Sequence, residues 1–253
     1  MVFTVYNRVD TVTLGYYKGA EAVGFYGAAY KVYEVLVLGA AYFANSVLPI
    51  LSKRAHTDNQ GFTKAFVKGY VILFFLGIFV AVMNLIFAPL AIMIIGGPKF
   101  YPSILALQIL SLAVVVSYFN HLNGYSIIAL NKQWFSLGLA MVALTFNLIL
   151  NLILIPQFSF YGAAFNTFLT EGFIVIVSLF ILRKWGNIKF GFSDVIIAFK
   201  EYTIPLSVTE YWLSNYSKCF SIVQIYKIPQ QQPNKKLGLY HQKEIAHSNP
   251  YCL

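Results

Sequence analysis

Long apolar runs with few charges dominate the chain, and short polar connectors separate them. The run 134–155 contains 22 residues without a charge. Because an α-helix rises about 1.5 Å per residue, a run of this length crosses the roughly 30 Å hydrocarbon core of a bilayer. The pattern therefore predicts an all-α integral membrane protein, a bundle of about six transmembrane helices. These helices are predicted at 2–17, 21–51, 71–95, 102–130, 134–155 and 163–182.

The last two runs are predicted to form a membrane hairpin, which contains the stretch NLILNLILIPQFSFYGAAFNTFLTE at 147–171. We expect Pro156 to end the first of these helices, because its ring removes a hydrogen-bond donor and clashes with the preceding turn. Gly162 is expected to open the turn into the second helix. The connector between the two helices carries no charge, which again favours a membrane hairpin.

Polar side chains in this hairpin fall at helical spacing. Asn147 and Asn151 lie four residues apart and therefore share one face of a helix. The same spacing recurs in the second helix between Asn166 and Thr170 and between Thr167 and Glu171. We expect the two polar stripes to meet. The asparagines could join the helices by hydrogen bonds or contact a substrate, whereas Glu171, an ionisable group inside a span, marks a functional site by default.

Charged residues also occur within the first two predicted helices. Asp10 lies deep in the segment 2–17, whereas Arg8 is nearer an end, where its side chain could extend to lipid headgroups. Because Arg8 and Asp10 are two residues apart, they point to nearly opposite faces of a helix. Lys31 and Glu34 are three residues apart in the second helix. They could form an ion pair that lowers the cost of insertion, or they could contact a polar ligand.

The composition is typical of a membrane protein and excludes most soluble classes. Hydrophobic residues make up 58% of the 253 residues and charged residues only 11%, and the mean hydropathy is +0.67. The net charge of +9 does not predict a nucleic-acid partner, because the basic residues lie mostly in short connectors rather than in one patch. Cys219 and Cys252 form no motif with histidine, so neither a metal site nor a cofactor is predicted.

The charges of the connectors predict the orientation in the membrane. With the N-terminus in the cytoplasm, eight basic residues lie on the cytoplasmic side and two on the outside, which agrees with the positive-inside rule. The inside residues are Lys53, Arg54, Lys64, Lys68, Lys132, Arg183, Lys184 and Lys189, and the outside residues are Lys18 and Lys99. Beyond the predicted transmembrane lobe at 1–190, the region 191–253 is predicted to be a divergent polar tail, either disordered or amphipathic.

Three segments carry a resemblance to a known family. RVDTVTLGYYKGAEAVGFYGAAYKVYE at 8–34 resembles a charged opening helix followed by a glycine- and alanine-rich entry into the next, and NSVLPILSKRA at 45–55 resembles the end of that helix. The stretch 147–171 resembles an asparagine-rich helix, an Ile-Pro turn and the Gly-Ala-Ala start of a final helix. In this order the segments resemble the C-terminal lobe of a polysaccharide flippase for O-antigen or capsule repeat units. That family belongs to the multidrug, oligosaccharidyl-lipid and polysaccharide exporter superfamily, and the resemblance covers about residues 1–190.

In that family two lobes surround a central cavity, and a polyprenyl-pyrophosphate-linked oligosaccharide crosses the cytoplasmic membrane by alternating access. The resemblance implies the same lipid-linked glycan as substrate and the bilayer of a bacterial or archaeal cell membrane as the surroundings. Only one lobe is present, and alternating access requires one bundle to move against another. The chain is therefore expected to be a fragment that lacks its N-terminal lobe, a split half that needs a partner chain, or a nonfunctional lobe.

The candidate cavity residues come from the resemblance and from the polar pattern together. They are Arg8, Asp10, Lys31, Glu34, Asn147, Asn151 and Glu171. A basic side chain would attract the pyrophosphate or acidic sugars, and an asparagine could hydrogen-bond sugar hydroxyls. Asp10 or Glu171 could instead couple transport to an ion gradient.

Other functions remain open on the sequence. A cation-coupled multidrug exporter of the same superfamily would use Asp10 or Glu171 as an obligatory ion site. A non-transporting structural subunit is a further alternative. An enzyme is not predicted, because the chain has no nucleophile with a base, no metal-ligand cluster, no phosphate-binding glycine loop and no long loop between helices.

Overall fold

The structure, a computed structural model, describes the backbone of residues 2–185 and the side chains of residues 9–184. This part of the chain is helical apart from short connections. It consists of α1 (Val2–Thr57), α2 (Asn59–Gly96), a 3₁₀ turn (Pro98–Phe100), α3 (Ser103–Ala129) and α4 (Gln133–Trp185). The predicted tail at 191–253 lies outside the described residues, and so does the side chain of Arg8.

Two of these helices are broken by a residue whose backbone leaves the helical region. Gly19 in α1 has a φ of 81°, a conformation that glycine adopts without steric cost. Ser159 in α4 has a φ of 55°, which is uncommon for a residue with a Cβ atom. We call the resulting parts α1a (2–18), α1b (20–57), α4a (133–158) and α4b (160–185).

The break in α4 corrects the prediction that Pro156 ends the first helix of the hairpin. Pro156 lies inside helical backbone, and the chain leaves the helix at Ser159. Membrane helices tolerate proline because neighbouring groups satisfy the freed backbone. The corner after Ser159 is held by aromatic packing between Phe160 and Tyr161, whose ring centroids are 4.2 Å apart. Tyr161 also donates a hydrogen bond of 3.2 Å to the carbonyl oxygen of Pro102.

The polar connector after the second predicted helix is shorter than its composition indicates. Helix α1 continues to Thr57 and α2 begins at Asn59. Asp58 separates them and caps α2, because its side chain accepts a hydrogen bond of 2.9 Å from the backbone N–H of Gly61. Such a cap satisfies one of the donors that a helix start leaves unpaired. Most of the polar residues at 53–68 are therefore helical.

Within residues 2–185, four helices are long and apolar enough to cross a membrane. They are the four helices above, with the first counted from residue 9 and the last up to residue 184. The chain is thus a multi-pass membrane protein. The two breaks divide these four helices into six helical parts, and the number of parts that cross the bilayer stays a prediction.

Helix α3 lies at the centre of the bundle and packs against α1, α2 and α4. Tyr118 of α3 is almost fully buried and donates a hydrogen bond of 3.0 Å to the carbonyl oxygen of Leu36 in α1. By contrast, α2 exposes large apolar side chains such as Phe79, Ile86 and Ile94. Apolar residues on the outside of a helical bundle are expected where lipid is the solvent. The described helices therefore enclose a mixed core that carries polar groups and present an apolar surface.

Candidate functional site

Asp10 lies inside the bundle at the centre of a polar cluster, and its side chain is only 5% exposed. Asn151 donates a hydrogen bond of 2.6 Å to Oδ1 of Asp10. Tyr26 donates a bond of 3.0 Å from its hydroxyl to Oδ2, and the hydroxyl of Thr167 lies 3.5 Å from the same oxygen. These four residues, which we call the Asp10 cluster, come from α1a, α1b, α4a and α4b.

The two helix breaks bring these residues together. Asp10 and Tyr26 are 16 residues apart, so on one straight helix they would lie about 24 Å from each other. Asn151 and Thr167 are also 16 residues apart in sequence, yet both contact the same carboxyl group. The chain must therefore turn back between the members of each pair, which it does at Gly19 and Ser159. The site exists only because both helices are broken.

The asparagine stripe of α4a meets the polar stripe of α4b, as the four-residue spacing predicts. Asn166 donates a hydrogen bond of 3.0 Å to the backbone carbonyl oxygen of Asn147. Asn147 in turn donates a bond of 3.4 Å to the hydroxyl of Thr170 and accepts one of 2.9 Å from Asn151. The predicted contact is confirmed, and it connects the hairpin to the Asp10 cluster through Asn151.

The Asp10 cluster has the chemistry to hold a proton or a monovalent cation. The hydrogen bonds that reach Asp10 from the described side chains come from neutral groups. Asn151 adds a further acceptor, because its Oδ1 atom is buried and has no hydrogen-bond partner among the described residues. The cluster thus offers carboxylate, amide and hydroxyl oxygens, which are the ligands that hard cations prefer. A positive charge placed there would offset the cost of a buried carboxylate.

Glu171 forms a second acidic site on α4b, one helical turn beyond Thr167. Tyr33 of α1b donates a hydrogen bond of 3.4 Å to Oε1 of Glu171. Asn120 of α3 donates to Oε2 and also, over 2.9 Å, to the backbone carbonyl oxygen of Glu171. Unlike Asp10, Glu171 is half-buried, since it borders a cavity.

This cavity, which we call the Glu171 cavity, lies between α3, α4a and α4b and has a volume of about 550 Å³. Glu171, Asn120 and His121 lie on its polar side, and Gln133 and Ser136 line it next to the connection between α3 and α4. His121 is held in place by a contact of 2.9 Å between Nδ1 and the carbonyl oxygen of Ser117. The sequence gives His121 no visible partner, whereas in the structure it lines the same cavity as the half-buried Glu171.

A row of tyrosines on α1b joins the two acidic sites. Tyr26 contacts Asp10 and Tyr33 contacts Glu171, and Tyr30 lies between them with its ring centroid 5.4 Å from each neighbour. The tyrosines are spaced by four and three residues and therefore share one face of the helix. This tyrosine row packs α1b against α4b at the level of both acids.

Lys31 and Glu34 each follow a tyrosine of the row by one residue, about 100° further round the helix, and both are exposed on the surface of the described bundle. No hydrogen bond or ion pair of either side chain occurs among the described residues, so the self-neutralising ion pair is not formed. Asp10, Asn147, Asn151 and Glu171 converge in the interior, as described above. Of the seven candidate residues, four therefore lie in the interior and two are exposed. The side chain of the seventh, Arg8, lies outside the described residues.

Sequence reasoning missed the residues that hold the two acids. On the second predicted helix, Tyr26 and Tyr33 form a stripe with Tyr30, a pattern that fits a membrane interface as well as a cavity. Asn120 gave no signal, because nothing in local spacing connects it to an acid 51 residues away. The useful signal was the coincidence of a tyrosine stripe on one helix and a Thr-Glu pair on another.

Comparisons with known proteins find similarity to proteins named as flippases. No protein-family model matches the chain. The chain is 25% identical over 191 residues to the "Probable low-salt glycan biosynthesis flippase Agl15" of Haloferax volcanii, a match that covers 75% of this chain and 40% of that protein. It is 27% identical over 189 residues to the "Probable flippase AglR" of the same organism, with coverages of 71% and 38%. The chain thus spans less than half the length of these relatives.

Solved structures show the same fold. The match to a crystal structure of a MATE protein in the straight conformation has a TM-score of 0.67 at 18% sequence identity. It covers 76% of this chain and 44% of that chain. The described helices therefore have the fold of part of a MATE protein.

Proposed function

We propose that the chain is one lobe of a flippase that moves a polyprenyl-pyrophosphate-linked oligosaccharide across the cell membrane by alternating access, for surface glycan assembly. The N-terminus of α1 lies on the cytoplasmic side in this proposal. Support comes from relatives named as flippases and from the polar interior of a membrane bundle. No covalent chemistry is required of the protein in such a reaction.

The exposed pair on α1b is the observation that carries this proposal. Lys31 is 12 residues beyond the break at Gly19, which places it about 18 Å along the helix. At this distance from the start of α1b, the side chains of Lys31 and Glu34 are both exposed. Charged side chains are costly against lipid and normally face a bundle interior or a water-filled cavity. This side of α1b is therefore proposed to face the central cavity, opposite a second lobe.

The roles of the interior and exposed residues differ in this mechanism. Lys31 attracts the pyrophosphate or an acidic sugar through charge-assisted hydrogen bonds. Asp10 binds the coupling cation or proton inside the lobe, where its occupancy alters the packing of α1a and α1b against α4. An ion can only drive a conformational change if it binds the two states with different affinity. A site where four helix parts meet is well placed to couple ion binding to transport, because movement of any of these parts changes the site.

A complementation assay tests the proposed function. The chain alone, and the chain preceded by the N-terminal lobe of a flippase relative, are expressed in a flippase-deficient prokaryotic strain while export of lipid-linked repeat units and membrane insertion are measured. We expect export only when the second lobe is present. If both forms insert and neither restores export, the flippase proposal is rejected, and efflux of organic cations becomes the next activity to measure.

Replacing Lys31 by glutamine is expected to lower export of an anionic lipid-linked substrate about 5- to 10-fold, because one charge-assisted contact is lost. Lys64→Gln removes the same charge from an exposed position at the start of α2 and is the matched control, with export unchanged. Both variants are compared at equal protein levels in the membrane. Equal export by the two variants would show that Lys31 does not contact the substrate during transport.

A further inference from the structure

Three exposed cations gather where α1b ends and α2 begins. Arg54 of α1b turns towards α2, because its Nη1 atom donates a hydrogen bond of 3.0 Å to the backbone carbonyl oxygen of Gly61. The stem of this side chain also lies against α2, since Cδ of Arg54 is 3.4 Å from the position that a Cβ atom would take at Gly61. Lys64 and Lys68 follow on α2, about one and two turns beyond Gly61. We call the three exposed residues Arg54, Lys64 and Lys68 the α2 cation patch.

Acidic residues do not neutralise the α2 cation patch. In the sequence, Asp58 is the only acid between Glu34 and Glu171. The carboxylate of Asp58 caps α2 by accepting a hydrogen bond of 2.9 Å from the backbone N–H of Gly61. Among the described residues, no ion pair involves any of the three patch residues. Because like charges close together repel one another, an anion bound between them would stabilise the patch.

An apolar stripe continues from the patch along the same face of α2. Lys68 is the last charge before this stripe, since residues 69–98 carry none. At 3.6 residues per turn, Lys64, Lys68 and the members of the stripe fall within about 60° of one another around the helix. We call these members the outer α2 stripe: Phe75, Phe79, Val82 and Ile86, which are 47%, 60%, 43% and 60% exposed. The cations thus lie at the point where an apolar, lipid-facing surface begins.

The dimensions of this face match one lipid molecule in one leaflet. Along the helix, Phe75 lies about 10 Å and Val82 about 21 Å beyond Lys68. Half of a bilayer measures about 15 Å across its hydrocarbon and about 20 Å with the headgroup region included. A lipid whose phosphate lies at Lys68 therefore extends its chains along the stripe to about Val82. A soluble anion would use only the patch, and a neutral lipid would use only the stripe.

We propose that this face of α2 binds an anionic phospholipid of the surrounding membrane. The phosphate accepts hydrogen bonds from the α2 cation patch, and an acyl chain lies along the outer α2 stripe. Basic residues beside a membrane span attract anionic lipids, and here cations from two helices converge on one position. The lipid is a constituent of the bilayer and not the substrate of the proposed flippase, so its occupancy does not depend on that activity and loss of one patch lysine leaves export unchanged.

Native mass spectrometry of the purified, detergent-solubilised chain tests the proposal. Phosphatidylglycerol and phosphatidylcholine of equal chain length are added at equal concentration, and the affinity of each is measured. We expect phosphatidylglycerol to bind at least about tenfold more tightly, because the ammonium group of phosphatidylcholine offsets the charge of its phosphate. Equal affinity for the two lipids overturns the proposal.

Two competitors distinguish a phospholipid from other anions. Inorganic phosphate has the headgroup charge without a chain, and displacement of phosphatidylglycerol by an equal concentration of it would show a site for a free anion. Farnesyl pyrophosphate represents the polyprenyl-pyrophosphate of the proposed substrate. If it binds more tightly than phosphatidylglycerol, this face receives the substrate, and the phospholipid proposal is overturned. We expect neither competitor to displace phosphatidylglycerol at equal concentration.

A double variant and a matched control locate the site. Replacing Lys64 and Lys68 by glutamine is expected to weaken phosphatidylglycerol binding at least about tenfold and to leave phosphatidylcholine binding unchanged. Replacing Lys18 and Lys99 by glutamine removes the same charge from two exposed positions outside the patch and should bind like the wild type. Equal weakening by both double variants would show attraction by net charge alone and contradict the assignment. Elution volume and helix content monitor folding, and the single variant Lys68→Gln replaces the patch variant if the latter aggregates.

Discussion

Asp10→Asn is expected to abolish ion-driven transport, with a loss of about 100-fold or more, while the protein still folds and inserts. Asparagine has nearly the shape of aspartate, and its oxygen can still accept the hydrogen bond from Asn151. The hydroxyls of Tyr26 and Thr167, which lie beside the other carboxylate oxygen, can turn to accept from the new amide. Only the charge is lost, and with it the attraction for the ion; a 100-fold loss of ion binding corresponds to about 2.8 kcal/mol.

The measurement is export by the two-lobe form of the protein, compared at equal membrane levels with and without an imposed ion gradient. Glu21→Gln is the control, because it removes one negative charge from an exposed position of α1b and should leave export unchanged. Gradient-dependent export by the Asp10→Asn variant at the wild-type rate would exclude Asp10 as the coupling site. Loss of the variant from the membrane would instead show that the carboxylate is needed for folding, and it would count against the shape argument above.

Gly162→Ala is expected to destabilise the chain strongly, although it adds a single methyl group. A Cβ atom at this position would lie 2.6 Å from the backbone carbonyl oxygen of Leu154, a distance that forces backbone to move. Overpacking of this kind costs on the order of 1 to 3 kcal/mol, and here it acts on the corner that brings Asn151 and Thr167 together. The variant should therefore lose thermal stability and open the Asp10 cluster.

Gly172→Ala is the matched control, because it makes the same change on the same helix where no atom beyond the neighbouring residues and backbone of that helix lies within 4 Å of the new Cβ. Alanine stabilises a helix interior by up to about 1 kcal/mol relative to glycine, so this variant should melt at or above the wild-type temperature. The readout is the folded fraction of detergent-solubilised protein after heating, followed by size-exclusion chromatography. Similar melting temperatures for the two variants would show that the corner is not tightly packed.

The helices of this chain could be predicted because a bilayer imposes their length and composition. The corners could be placed only to within a few residues, because Gly19 and Ser159 lie inside the predicted connections at 18–20 and 156–162. Pro156 is the strongest local breaker in the hairpin, yet the chain breaks at Ser159, where aromatic packing and a hydrogen bond to Pro102 decide the geometry. The hydrogen bond is to Pro102, 59 residues away in sequence, and local propensity contains no information about it.

For the candidate site too, the sequence predicts which residues share a helix face but not which distant residues come into contact. The spacing of Asn147 and Asn151 predicted a shared face, and that face exists. Asp10, however, contacts Asn151, which is 141 residues away in sequence, and Thr167, which is 157 residues away. An acid in a membrane helix can be identified from sequence as costly, but the groups that stabilise it depend on how distant helices pack. Roles of these residues in transport stay predictions.

The tyrosine row has a mechanical consequence for the bundle. Tyr26 and Tyr33 hold α1b to α4b at two points, because the hydroxyl of Tyr26 lies 3.1 Å from that of Thr167 and Tyr33 donates a hydrogen bond to Glu171. A slide of α1b by one helical turn, about 5.4 Å, would break both hydrogen bonds at once, because rigid helix backbone transmits the displacement from one point to the other. The two acids therefore cannot be uncovered independently by such a motion. The two hydrogen bonds of the tyrosine row are therefore expected to break together rather than one at a time.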